Sequence, residues 1–533
     1  MNHKSEVLAL FLVACAVEGS VHAAEWHVRA GAYGTGSLEN PAGTIQYAVN
    51  LAADNDTIRV TEGTYSQPVM IVGKSLVLEG GWNSSFTERH PENHLSIIAP
   101  SDDAATALAY WSSPNGELSG FTVNRYLRCW AGSSPLIRNN VVVSLDCTAS
   151  SPLITQNVLG SGSFRDSASV ITDNVVTGPL SSSGPTAITS NTVAIVGNTV
   201  TGKVSSSAST GTIIGNTIAG GMTSSSSDYS IIAGNTITAR DWYGIRIEGQ
   251  SASIVTGNTV TLCTPKGGIS CSFSFPTIAN NLIARNNGGG IVCEDRATPT
   301  IVNNTVVGNN GAWGYGGGLT VASLSSPTVL NCIFRGNPGT PDGHDITVGT
   351  PLIPGDASLL IRYCVVPRGH AGVYLITLPY HAYLTWGPGN LDTDPLFADA
   401  ANGDYHLKSA EGRWNPNASG GTGAWVLDDV TSPCVNGGDP ASDYSKEPFP
   451  HGRRVNVGAY GNTPEASKGT WILPGDANGD SRVDVLDLIS IRNLLGSPTS
   501  PTGDTWWADV NMDGKVNVLD LIFVRNRLAT KRE

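Results

Sequence analysis

The chain has 533 residues, a formal net charge of −13 and a pI near 5.2, a balance that argues against a nucleic-acid partner. Only 14% of its residues are charged while 62 are glycine, which favours one long all-β body with small attachments. No apolar run of about 18 residues follows the N-terminal segment, so no transmembrane span is expected.

Residues 1–23 read as an export signal. Lys4 supplies a weak positive region, Val7 to Val17 the apolar stretch, and Val21-His22-Ala23 a site suited to signal peptidase. A second reading competes, because Leu12-Val13-Ala14-Cys15 has the form of a lipobox that would leave Cys15 lipidated at a membrane. Either route predicts a secreted or cell-surface protein.

From residue 24 the pattern is that of short strands. Ile45, Ala48, Val49 and Ala52 fall on one face of a short helix after Thr44, placed to cover the open end of a stack. Thr57–Val60, Val69–Val72 and Ser75–Leu78 then read as the first strands. Further along, Pro276-Thr277-Ile278-Ala279-Asn280-Asn281 returns 23 positions later as Pro299-Thr300-Ile301-Val302-Asn303-Asn304. The same beat precedes this pair at Ile137/Asn140, Ile154/Asn157, Ile171/Asn174, Ile195/Asn198, Ile213/Asn216, Ile232/Asn235 and Val255/Asn258. It continues at Val329/Cys332 and Ile361/Cys364, with cysteine in the asparagine slot. A unit this short cannot bury its own apolar side and must stack on copies of itself. The growing steps fit insertions in surface turns, as around Gly311-Ala312-Trp313-Gly314-Tyr315. The recurrent asparagine is expected to point inward, bond its equivalents above and below, and take a left-handed turn conformation. Ser181–Ser183, Ser205–Ser207 and Ser224–Ser227 read as serine-rich turns within this array.

On this iterated asparagine turn the sequence resembles the right-handed parallel β-helix of the pectate-lyase-like superfamily, over residues 24–390. The resemblance implies about a dozen coils of ~4.8 Å, a rod of roughly 60 Å. Eight cysteines follow Cys15. Cys129 and Cys147, Cys271 and Cys293, and Cys332 and Cys364 fall near equivalent points of neighbouring coils, while Cys263 and Cys434 stand apart. Bridged neighbours and buried thiols both fit this spacing, and none has zinc spacing.

Residues 391–470 change character, with more Asp, Pro and Trp and no asparagine beat. They read as a C-terminal cap or linker whose acidic residues form turns.

Residues 471–533 carry the most specific motif. Asp476, Asn478, Asp480, Arg482, Asp484 and Asp487 occupy positions 1, 3, 5, 7, 9 and 12 of a calcium loop, with Arg482 lending only its carbonyl. The loop recurs 33 residues later as Asp509, Asn511, Asp513, Lys515, Asn517 and Asp520. Apolar residues follow each loop at helical spacing, at Leu488, Ile491 and Leu495, then Leu521, Val524 and Leu528. Two such loop–helix units resemble a type I dockerin, a small α-helical paired F-hand. That resemblance implies two Ca2+ sites, folding that depends on the metal, and a cohesin-bearing partner. Ser481 stands where the second loop has Gly514, and Val485-Leu486 and Val518-Leu519 replace the Ser or Thr that cellulosomal dockerins present to their partner. A module packed on its own solenoid is the competing reading.

Candidate catalytic residues are Asp241, Arg246 and Glu248 on one coil, and Glu294, Asp295 and Arg296 two coils later. Arg246 and Glu248 alternate with Ile245 and Ile247 and so should face outward. Paired carboxylates there would act as acid and base or hold a cation against an acidic sugar, while a surface ion-pair cluster is the plainer alternative. His370 and His381 read as solvated loop residues. Three functions remain in view: a secreted, carbohydrate-associated protein displayed through its dockerin, a polysaccharide lyase or glycosyl hydrolase, and a non-catalytic adhesive rod. A monomer is expected.

Overall fold

The computed structural model describes residues 23–100, 106–184, 192–226, 229–311, 316–339, 344–349, 355–376, 381–470, 475–478, 482–495, 508, 510–511 and 515–528. The export or lipobox segment with Cys15, the insertion from Ala312 to Tyr315, Ser481, Gly514, and Asp480, Asp509 and Asp513 of the calcium loops lie outside them.

Each coil contributes one short strand to a long parallel sheet of 16 strands, which runs from Glu25–Val28 to Ala382–Trp386. After the asparagine turn the chain enters a second parallel sheet, as in Val158–Leu159, then a third, as in Gly162–Arg165. The long strands Phe121–Trp130 and Val141–Thr148 run through both of these sheets and join them. Sixteen stacked strands correspond to about 70 Å, longer than the asparagine count implies. The first coils lack the asparagine beat, and the last carries its asparagine, Asn390, one residue out of the Ile-x-x-Asn spacing, so the beat counts neither.

Apolar columns fill the interior. Ile137, Ile154, Ile171, Ile195, Ile213, Ile232, Val255, Ile278, Ile301, Val329 and Ile361 are all buried in one stack. Helix α1 (Ile45–Leu51) covers the first coil with Ile45, Ala48 and Val49, and Thr44 accepts the Tyr47 N–H as its N-cap. The Lys74 ammonium donates to the carbonyls of Val49, Asn50 and Ala52 at the other end of that helix.

The asparagines form an unbroken ladder from Asn140 to Asn304. In each step the side-chain oxygen accepts both the backbone N–H and the Nδ2 of the preceding asparagine, as Asn281 does from Asn258 at 2.9 Å and 2.9 Å. The left-handed residue is not the ladder asparagine itself, as the sequence suggests, but its predecessor. Asn139, Gln156, Asp173, Gly197, Gly215, Gly234, Gly257, Asn280 and Asn303 all have φ between 51° and 67°. The left-handed step turns the chain so that the following side chain points inward. Beyond Asn304 the slot passes to Cys332, whose sulfur accepts the Asn304 N–H at 3.3 Å, then to Cys364 and Asn390. A second ladder, absent from the sequence reading, links Cys263, Asn286, Asn309, Asn337 and Asp345.

The serine runs are strands, not turns. Leu180–Ser183, Val204–Ser207 and Met222–Ser225 lie in register in the third sheet, with Ser182, Ser206 and Ser224 inward and buried. Serine is small enough for a narrow coil, and partners are at hand: the Ser224 hydroxyl lies 2.9 Å from Ser251 and 2.8 Å from Ser253. Cys129 and Cys147 are register partners, as are Cys271 and Cys293. All eight described cysteines are buried thiols, stacked as small apolar residues.

Residues 391–470 fold back along the side of the last coils. Leu407, Cys434 and Val457 pack on Ile333 and Val365, and Tyr405 packs on Ala284 and Val307. Asn280 donates to the carbonyls of Ala459 and Gly461, Asn303 to those of Asn456 and Gly458, and Thr305 accepts the Ala459 N–H. Acidic residues form turns here as expected, Asp399, Asp439 and Asp443 among them. Asp404 does more: with Glu465 it brackets the buried His406 at 2.6 Å and 3.4 Å, and His406 stacks on Tyr460 at 3.7 Å.

Candidate functional site

The outer face of the third sheet brings most of the candidate catalytic residues together. Ile245 and Ile247 are buried, so Arg246 and Glu248 project outward as the alternation requires, joined Nε to Oε2 at 2.7 Å. Register carries the Glu248 column through Ser272 to Glu294, two ladder steps or about 10 Å along the rod. Asp295 follows in a left-handed turn and accepts the Ser272 hydroxyl at 2.8 Å. Arg296 is the next turn residue and is exposed. Asp241 sits at an exposed left-handed position in Arg240–Trp242, which pairs with Thr264–Pro265 in a separate two-stranded sheet, off the columns of Glu248 and Glu294.

Residues not singled out from the sequence complete the cluster. The Lys203 ammonium lies 4.2 Å from the Trp242 ring, and the Arg246 guanidinium 5.8 Å from Trp242 and 5.5 Å from Tyr243. Lys203 comes from two coils earlier, and aligning Val204 with Met222 and Ile245 is the signal that would have found it. Burial raises the Glu294 carboxyl above its ordinary value and Asp295 adds to this, against Arg246 and Lys266. Burial lowers the Lys203 ammonium, opposed by Glu248. The face therefore holds a carboxyl raised above its ordinary value, the paired carboxylate of Glu248, the carboxylate of Asp295, the cations of Lys203 and Arg246 with Lys266 near Glu294, and two rings.

The C-terminal module repeats one arrangement twice. Helix α2 (Val485–Leu494) starts at Asp484, whose side chain accepts the Leu486 N–H at 2.8 Å, while Asp487 accepts the Asp484 N–H at 2.7 Å. Asp487 also accepts the N–H groups of Ala477 and Asn478, drawing the loop onto the helix start. In helix α3 (Val518–Arg525) Asn517 caps Leu519, and Asp520 accepts from Asn517 and Asn511. Both Asp487 and Asp520 are fully buried. Val483, Ile491, Val510 and Val524 form the core between the units, whereas Leu495 and Leu528 are exposed at the helix ends.

Residues 181–338 match the family described as Right handed beta helix region, and residues 474–529 match the Dockerin type I domain. The chain is a right-handed parallel β-helix followed by a type I dockerin. Residues 381–438, which include the start of the folded-back segment, match a family described as Disaggregatase related. No curated protein matches. Among solved structures, XylC in complex with xylose is 11% identical with a TM-score of 0.27, spanning 70% of this chain and 87% of that one. Pectate lyase Pel9A is 13% identical with a TM-score of 0.21 (82% and 95%), and a rhamnogalacturonan lyase 11% with 0.17 (77% and 96%). Scores this low carry no argument about fold or activity.

Dockerin type I domains bind calcium and dock on cohesins. The donors fit a hard cation, since the loop positions supply only carboxylate, amide and carbonyl oxygens. Asp476, Asn478, Arg482, Asp484 and Asp487 would hold one ion, and Asn511, Lys515, Asn517 and Asp520 the described part of the other. The dockerin also leaves an apolar face on each helix. Val485, Leu486 and Ile489 on α2 are 60%, 50% and 45% exposed, and Val518, Leu519 and Ile522 on α3 are 59%, 53% and 45% exposed.

Proposed function

We propose that the β-helix binds an acidic polysaccharide on the outer face around Arg246, and that the dockerin docks the exported chain on a cohesin-bearing scaffold outside the cell. The observation that carries this reading is the cluster of Lys203, Trp242, Tyr243, Arg246 and Glu248, half-buried side by side on the outer face. The rings offer flat apolar surfaces to sugar C–H faces, and the cations pair with uronate carboxylates. The matched apolar faces of α2 and α3 support docking on a partner over packing on the chain's own solenoid. Two loops of the same donor pattern support two calcium ions.

Glu294 favours a second reading in which bound glycan is also cleaved. A carboxyl that burial raises above its ordinary value, in the same column as the carboxylate of Glu248, has the makings of an acid–base pair. The test is a depolymerisation screen of the whole protein with calcium on pectins, alginates and neutral glycans, beside retention of the same polymers. Unsaturated or reducing ends that vanish in Glu294→Gln and Glu248→Gln establish cleavage. Retention without new ends leaves binding alone. Loss of neither function on replacing Arg246 would overturn the site, and no retention of any acidic polymer would leave a structural rod.

A further inference from the structure

A second cluster of outward rings lies on the same outer face, toward the N-terminal coils. Trp111 and Trp130 are register partners, and their rings meet edge to face with centroids 5.6 Å apart. The Arg128 guanidinium lies between Tyr126 at 4.9 Å and Trp130 at 5.0 Å. Its far end donates to the Thr106 hydroxyl at 2.8 Å, and its Nε stands 3.5 Å from Asp146. Trp111 is 46% and Tyr126 40% exposed; Arg125, next to Tyr126 in the chain, and Arg165, two ladder steps from Trp130 in its column, are exposed as well. Packing of the coils does not require rings in this position, since the inward columns next to them are filled by Tyr110 and Leu127. Among the described residues, three guanidiniums, those of Arg125, Arg128 and Arg165, stand against the carboxylates of Asp146 and Asp166 in this area.

Two outward columns connect this cluster to the Arg246 site. One runs Arg128, Asp146, Ser163, Ser181, Ser205, Thr223, Arg246, and the other Trp130, Thr148, Arg165, Ser183, Ser207, Ser225. Glu248 extends the second column beyond Ser225, as the neighbour of Ile247 at the end of its strand. Between the clusters the columns carry the small side chains of Ser163, Ser181 and Ser205 and of Ser183, Ser207 and Ser225, with Thr223 buried beneath the surface and rings and cations at both ends. Six ladder steps separate Arg128 from Arg246, about 29 Å.

We propose that this strip is one binding track for an extended acidic glycan, with Trp111, Tyr126 and Trp130 stacking on sugar faces at its far end. Arg125 and Arg165 pair with carboxylates of the polymer, and the outward serine hydroxyls exchange hydrogen bonds with its hydroxyls. The proposal rests on the acidic-glycan reading of the Arg246 site and adds a distant subsite to it.

Affinity electrophoresis of the full chain in gels containing polygalacturonate, alginate, a neutral glucan or single-stranded DNA tests this. Titration with oligogalacturonates of rising length accompanies it. Affinity should climb with length until an oligomer spans both clusters. Trp111→Ala and, separately, Arg165→Ala should each weaken retention on the acidic polymers by roughly tenfold, the scale of a lost aromatic or charged contact. Neither should change binding of an oligomer too short to leave the Arg246 site. Arg165 is exposed, so its replacement tests the track even if Trp111→Ala folds poorly. Unchanged retention in both variants, with loss in Arg246→Ala, overturns the track and leaves the Arg246 site standing. No retention by any acidic polymer overturns both. Equal retention by DNA assigns the strip to polyanions at large and overturns a glycan track.

Discussion

Replacing Asn281 by alanine cuts the ladder at its middle. The side chain is fully buried and makes five hydrogen bonds. Nδ2 donates to the carbonyls of Val255 at 2.9 Å and Ala279 at 3.0 Å, and to Asn304 Oδ1 at 3.0 Å. The oxygen accepts the Asn258 backbone N–H and Nδ2. Asn258 Nδ2 keeps other acceptors, in the Ile232 and Thr256 carbonyls, but its backbone N–H loses the partner described for it. One stranded buried donor costs about 1–3 kcal/mol, and the weaker losses around it bring the total to about 3–5 kcal/mol. Asn281→Cys is the informative companion, because Cys332 fills the same slot and its sulfur still accepts the N–H of the coil before it. The cysteine variant should therefore lose only about half as much. Urea unfolding of the full chain, followed by tryptophan fluorescence, reads both shifts as midpoints. An unchanged midpoint in the alanine variant, or a cysteine variant no better than alanine, would refute the ladder as a source of stability.

Chelation of calcium should abolish the helical circular-dichroism signal of the dockerin while the β-helix melts at an unchanged temperature. Insensitivity to chelator would count against both metal sites. Burial raises the Glu447 carboxyl to about 7 despite its bonds to the Asn456 and Asn462 N–H groups. A raised carboxyl binds its proton more tightly folded than unfolded, so the folded-back segment loses stability as pH rises from about 4.5 to 7, by about 3 kcal/mol in all. Glu447→Gln should flatten that slope in hydrogen-exchange protection of residues 391–470. Burial acts to lower the His406 pKa, but Asp404 and Glu465 override it and hold the ring above its usual value. Its contribution is complete below about 6.5 and fades as pH climbs through the raised value. His406→Asn should remove this upper part of the pH response and leave the lower part intact. Asn303→Ala removes the donor to Asn456 and Gly458 and should speed proteolysis within 391–470 severalfold, with the coils before Asn280 still protected.

The parts of the fold that repeat were the parts legible in the sequence. Stacking forces every coil to present the same residue at the same place, so the Ile and Asn columns could be counted directly. The left-handed predecessor was not visible as a class, because Asn, Gln, Asp and Gly all serve there. The serine strands were hidden because serine is a turn residue by habit, and only register with Phe164 and Ile247 shows them to be strands. At the candidate site, alternation sufficed to aim Arg246 and Glu248 outward. It could not bring in Lys203, which joins through loops of unequal length, or show that Asp241 lies in a left-handed kink. The calcium loops were legible because their ligands are local in the chain, whereas the fold-back of 391–470 depends on pairings that span up to 181 residues.

Those long-range pairings bear on how the molecule carries tension. A pull applied through the dockerin enters the body at the far end of the folded-back segment. It meets the bonds of Gly461, Ala459 and Gly458 to Asn280, Asn303 and Thr305 before it reaches the terminal strand Ala382–Trp386. The segment thus works as a strain relief, spreading load over several coils and sparing the last strand from being peeled off its neighbour first.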